Sequence, residues 1–184
     1  MASLKREIVQ ERPFSSLEEE ALLNLMRTAD CLQRAFQRRS RNWGITSTQY
    51  NVLRILRGTQ PQGLTCSAIG SRMITAEPDI TRLLARLKAL KLIRQQRDRQ
   101  DRRVVWTQIA DAGLELLRQM DPGINLAPKE LLGHLGEAEL SHLIRLTELA
   151  RRNCAGEQDA VSCTGKKDSE GENCGISKME SNSR

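Results

Sequence analysis

The sequence predicts a mainly α fold with one small β-hairpin, and three observations carry that expectation. Apolar residues recur at steps of three and four through most of residues 15 to 153, which is the helical period. The period changes to two only between Leu92 and Ile109. Aromatic residues make up 3% of the chain and hydrophobic residues 39%, so the core must be built from Leu, Ile and Ala.

The first long helix is expected over residues 15 to 41, where Leu22, Leu25, Ala29, Leu32 and Phe36 fall on one stripe. Arg34, Arg38, Arg39 and Arg41 crowd its end, where cations suit the negative pole of the helix dipole. Asn42 to Gly44 break it. Thr46-Ser-Thr-Gln49 has the spacing of a capping box, so a second helix runs from about Thr48 to Arg57 with Val52, Leu53 and Leu56 inward. Pro61 and Gly63 punctuate the turn that follows, and Thr65 then caps a short helix, Cys66 to Met73.

A fourth helix starts near Pro78, a residue suited to the first helical position. Ile80, Leu83, Leu84, Leu87 and Leu90 form its apolar face, with Asp79, Arg82 and Arg86 opposite. Leu92 to Arg97 and Arg103 to Ile109 read as two strands, joined by the wholly polar Asp98-Arg-Gln-Asp-Arg102. A fifth helix is expected from Asp111 to Met120, interrupted by Pro122-Gly123. A turn or two of helix follows between Pro128 and Leu135, and a final helix runs from about Glu137 to Asn153. Residues 154 to 184 are rich in Gly, Ser, Glu, Lys and Asn, too polar to repay ordering, and are expected to be disordered.

The expected organisation is therefore an N-terminal helix at 15–44, a compact lobe at 45–109, C-terminal helices at 110–153 and a tail at 154–184. At 184 residues the chain suits one domain with a true core. No stretch approaches the length of a membrane-spanning helix and the N-terminus lacks a signal-peptide core, so a cytoplasmic location is expected.

The net charge is +6, and its placement says more than its size. Between Arg72 and Arg103 stand ten Lys and Arg against four Asp and Glu, an excess of six. A basic amphipathic helix followed by a hairpin with an Arg-rich tip is the plan of a winged helix-turn-helix. Such a helix needs one side anchored in a core and polar or cationic side chains on the other to enter the major groove of DNA. An Arg on the hairpin can enter a narrow minor groove, whose negative potential attracts guanidinium. On this reading Arg99, Arg102 and Arg103 contact phosphates or the minor groove. Ser67 on the third helix joins the candidate DNA contacts, and Asp98 and Asp101 orient the arginines by charge-assisted hydrogen bonds.

Catalysis finds no support. There is no phosphate-binding Gly-rich loop, no nucleophile elbow, and only two histidines. His134 and His142 have no ligand partners at metal-binding spacing, so neither a metal nor a cofactor is expected. The five cysteines are odd in number and widely spaced, which suggests no disulfide framework.

Residues 45 to 109 resemble the DNA-binding lobe of the multiple antibiotic resistance regulator (MarR) family. The closest marks are Ile80-Thr-Arg-Leu-Leu-Ala-Arg-Leu87 and Asp101-Arg-Arg103, and with the flanking helices the likeness covers residues 15 to 153. The resemblance implies a homodimeric transcription regulator reading a pseudo-palindrome in double-stranded DNA, with Thr81, Arg82, Arg86 and Arg103 as contacts. It also implies a small aromatic or phenolic ligand between the arms and the DNA-binding lobe. The chain departs from the family in having Lys91 where a Gly is common, and Ile109-Ala110 in place of Leu-Thr, which leaves Asp111 to cap the next helix.

Some regulators of this class sense oxidants through a cysteine in the first helix. Cys31 sits toward the middle of that helix with no Tyr or second Cys near it in sequence, so it reads as a buried or inert thiol. Two further readings of the same fold are a non-specific architectural DNA binder and a protein-interaction adaptor.

Overall fold

The computed structural model describes residues 3–154. The elements run α1 (Leu4–Glu7), α2 (Leu17–Arg41), α3 (Ser47–Arg57), α4 (Cys66–Gly70), α5 (Ile80–Ala89), β1 (Ile93–Arg97), β2 (Val105–Ile109), α6 (Asp111–Leu132) and α7 (Glu137–Arg151). A short 3-10 turn, Arg152–Cys154, closes the described part. Most of the tail expected from residue 154 onward lies outside the described residues. Residues up to His134 form one compact unit and those from Leu135 a second. No helix among the described residues is long and apolar enough to cross a membrane.

Side chains set the helix starts. The Ser16 hydroxyl accepts from the Glu19 amide at the head of α2. At α3 the capping box is complete, with the Gln49 amide donating to Thr46 Oγ1 at 3.1 Å and the Thr46 amide donating to Gln49 Oε1 at 2.9 Å. Thr65 caps α4 through the Ala68 amide. That helix stops at Gly70, short of the expected Met73, because the chain tightens: Arg72 and Met73 donate to carbonyls only three residues back.

Helix α5 begins at Ile80, two residues later than Pro78 suggests. The Asp79 carboxylate accepts from the Arg82 amide at 2.8 Å, so the acid next to Pro78 is the cap. At the other end Leu92 donates to the Leu87 carbonyl and Lys91 to that of Lys88. This is a Schellman motif with Lys91 left-handed at φ 59°. Lys91 therefore takes the conformation for which a Gly would be suited. Leu90, expected on the apolar face, is instead 51% exposed, because it sits where the helix unwinds.

The strands β1 and β2 pair antiparallel, from Ile93 opposite Ile109 to Arg97 opposite Val105. Leu64 bridges the far side of β2, exchanging two backbone bonds with Thr107. The core gathers Val52, Leu53 and Leu56 from α3, Ile69 from α4, Leu83, Leu84 and Leu87 from α5, Ile93 and Ile109 from the hairpin, and Leu117, Met120 and Ile124 from α6. Each such side chain fully buried contributes roughly 1.5–3 kcal/mol.

Helix α6 runs unbroken through both Pro122 and Pro128, where the sequence suggests an interruption. Leu117, Met120, Ile124 and Ala127 stay buried along one stripe, and this packing outweighs the loss of the prolines' amide bonds. Its cap position is Ala110, with no side-chain cap; Asp111 is the first helical residue and not the cap. There its charge meets the positive pole of the helix. Helix α7 has no buried residue.

Candidate nucleic-acid interface

Helix α5 divides its residues sharply. Leu83, Leu84 and Leu87 are buried, whereas Thr81, Arg82 and Arg86 are exposed. Anchoring one side fixes the other, so the two arginines extend from a rigid base and not from a loop. The turn before α5 is held from outside, since Asn51 Oδ1 on α3 accepts from the Ile74 amide at 3.1 Å. Ile74 itself is 87% exposed.

Arg82 and Arg86 line a shallow cleft of about 530 Å³. The end of α2 contributes Gln37 and Arg41, the start of α3 contributes Thr46, Thr48 and Gln49, and Glu77 and Asp79 complete the rim. Gln37 is itself engaged, accepting from both the amide and the hydroxyl of Ser47. Nothing in the sequence marks Gln37 and Arg41 as neighbours of α5, because the cleft joins residues some forty positions apart.

Arg99, Arg102 and Arg103 lie together on the tip between the strands and are all exposed. The expected bonds from Asp98 and Asp101 to these guanidiniums give way to bonds with the tip's backbone and with an indole. Asp98 Oδ1 accepts from the amides of Gln100 and Asp101 at 2.8 and 3.0 Å, and Asp98 Oδ2 from Trp106 Nε1 at 2.9 Å. Asp101 Oδ1 accepts from the Arg103 amide at 2.9 Å. The acids shape the loop that carries the arginines. Of these bonds, the one from the Asp101 amide does most to hold the Asp98 carboxyl below its ordinary range.

Among the described residues, ion pairs join Arg27 to Glu7, Arg34 to Asp30, Arg39 to Glu130, Arg57 to Asp121 and Arg118 to Glu115. None of these takes up Arg82, Arg86, Arg99, Arg102 or Arg103. Among the described residues these five arginines have no carboxylate partner. Ser67 is exposed on α4, its hydroxyl 3.2 Å from that of Thr65.

The thiols depart from the expectation in one respect. Cys31 is exposed, as are Cys66 and Cys154. The Arg34 guanidinium stands 4.0 Å from Cys31 Sγ. Cys163 and Cys174 lie outside the described residues.

Comparison with known proteins agrees with this fold. The MarR family model matches residues 43–104, which run from the approach to α3 to the wing tip. A MarR transcription factor from Planctomyces limnophilus is 39% identical, with a TM-score of 0.58 over 74% of this chain and 99% of that one. The transcriptional regulator TtmR of Methylorubrum extorquens is 33% identical over 106 residues, 58% of this chain and 53% of its own length. The chain thus spans about half of TtmR. The structure of a MepR–DNA complex from S. aureus shares the fold, with a TM-score of 0.62 at 24% identity over 71% of this chain and 95% of that one. The relatives and the matched model are transcription regulators and not enzymes. A helix anchored by leucines and bearing exposed arginines, an Arg-tipped hairpin and these likenesses together place the chain in the MarR family of winged-helix transcription regulators.

Proposed function

We propose that this regulator binds double-stranded DNA sequence-specifically as a homodimer, each subunit reading one half of a pseudo-palindromic operator. The observation that carries this reading is α5, with Leu83, Leu84 and Leu87 buried and Arg82 and Arg86 exposed and free of carboxylate partners among the described residues. Thr81, Arg82 and Arg86 face base edges in the major groove, and Ser67 on α4 meets the backbone beside it. Arg99, Arg102 and Arg103 reach phosphates or the minor groove from the wing. Two-fold symmetry sets the recognition helices one duplex turn apart, about 34 Å.

Dimerisation is supported by apolar side chains that stand exposed among the described residues. On α2, Leu22 and Met26 are 57% and 60% exposed; on α7, Ile144 and Leu146 are 59% and 54% exposed. A second copy pairing through these helices removes that surface from water. Release by a small aromatic or phenolic ligand rests on the family likeness; the cleft beside Arg82 and Arg86, lined mostly by polar and charged side chains, would place a ligand next to the DNA contacts. A ligand seated there shifts the arginines that meet DNA, and half-site spacing with them.

Selection of bound duplexes from a random pool tests the whole reading, with recovery of an inverted repeat as the expected result. On the selected duplex Arg82→Ala should relax the preference at its base by about 1–3 kcal/mol. Arg103→Ala should instead weaken binding uniformly and reduce the salt slope by about 0.9. Recovery of unrelated sequences points to an architectural binder; charge reversal at Arg82 and Arg103 without effect points to an adaptor.

A further inference from the structure

We infer that Trp106 is a positioning residue for the wing: acting through Asp98, it fixes the backbone that presents Arg99, Arg102 and Arg103. The use made of those arginines rests on the DNA-binding reading, but the clamp itself does not.

Trp106 pairs with Gln96 across the hairpin. Because side chains alternate along a strand, it shares a face with Arg94, Gln96 and Gln108, opposite the face that carries the buried Ile93, Thr107 and Ile109. A tryptophan on the outer face has no core to fill. Asp98, two residues beyond Gln96, is its diagonal neighbour, a separation that long aromatic side chains reach. The indole Nε1–H donates to Asp98 Oδ2 at 2.9 Å.

The other carboxylate oxygen holds the tip. Asp98 Oδ1 takes the amides of Gln100 and Asp101, and Asp101 takes that of Arg103. The Asp98 amide donates to the Val104 carbonyl and the Val104 amide to that of Asp101. The bonds thus run from one rigid ring to the amide of the last arginine on the tip. Without the indole, nothing among the described residues holds Oδ2, and the Asp98 side chain can rotate away from the two amides. A tip that fluctuates presents its arginines in many directions, and each must be ordered at the moment of binding.

Trp106→Phe keeps an aromatic ring and removes the N–H. Asp98→Asn sets an amide donor against the indole donor. Each should raise hydrogen exchange of the Asp101 amide roughly three- to tenfold, as expected for losing one ordinary hydrogen bond at a solvent-accessible site. The Leu64 and Thr107 amides in the sheet should be unchanged. Binding to a fixed 30-base-pair duplex should weaken by a similar factor in both variants, and the double variant should be little worse than either. Unaltered Asp101 exchange in Trp106→Phe overturns the inference, as do additive effects in the double variant. If the wild-type chain binds no duplex while exchange at Asp101 still responds, the clamp stands and the DNA reading fails.

Discussion

Arg57 and Asp121 form a two-pronged ion pair that ties α3 to α6, with Nη1 2.7 Å from Oδ2 and Nη2 3.3 Å from Oδ1. The paired geometry matches a planar guanidinium to a planar carboxylate, and Asp121 strengthens the hold of Arg57 on its proton. Both side chains are about one-third exposed, at 35% and 29%, so solvent screens part of the attraction. Arg57→Ala or Asp121→Ala should each lower the unfolding free energy by about 1 kcal/mol. In urea titrations the double variant should lose little more than either single one. Fully additive losses would show that the pair contributes nothing as a pair.

Gly63 is required twice over. Its φ is +78°, and a Cβ built there would stand 2.5 Å from the Thr107 carbonyl oxygen. That carbonyl cannot retreat without breaking its bond from the Leu64 amide. Gly63→Ala should therefore destabilise the lobe by roughly 2–4 kcal/mol, read as a lowered urea midpoint. A loss below that range would mean that the strand edge yields more easily than its hydrogen bonds suggest.

Lys91 presents the opposite case. It is an exposed residue in the left-handed region at φ 59°, which costs a side chain roughly 1–2 kcal/mol. Lys91→Gly relieves that cost but gives the unfolded chain more freedom. The net expectation is a gain of about 0.5–1 kcal/mol in unfolding free energy, with the wing's backbone resonances unmoved.

These residues also separate what is legible in the sequence from what is not. Local chemistry was legible: the Thr46–Gln49 capping box, the Thr65 cap and the leucine face of α5 each depend on residues within a few positions of one another. The wing was legible from its change of period and its acidic and basic tip. Long-range packing was not. Pro122 suggests a break in α6, and only the stripe of Leu117, Met120, Ile124 and Ala127 against the core explains why the helix continues. At the tip the charges suggest Asp–Arg bonds, but the carboxylates satisfy amides and an indole instead. Backbone donors in a tight turn have few alternatives to such an oxygen, whereas an exposed guanidinium is well served by water.

Asp98 makes the order of the wing tip depend on pH in a definite direction. Bonds from the Asp101 amide, the Trp106 indole and the Gln100 amide hold its carboxyl below the ordinary aspartate range, because each favours the charged form. A folded-state pKa below the unfolded value means that the contribution is complete above the unfolded pKa and fades as pH falls through the folded one. Between about pH 5 and 8 the Trp106 indole resonance and the Gln100 and Asp101 amides should therefore stay constant. On further acidification they should shift together, with a midpoint lower than that of a solvated aspartate. Asp98→Asn should remove that shared transition, and a midpoint at or above the ordinary aspartate value would show that these bonds do not hold the carboxylate in solution.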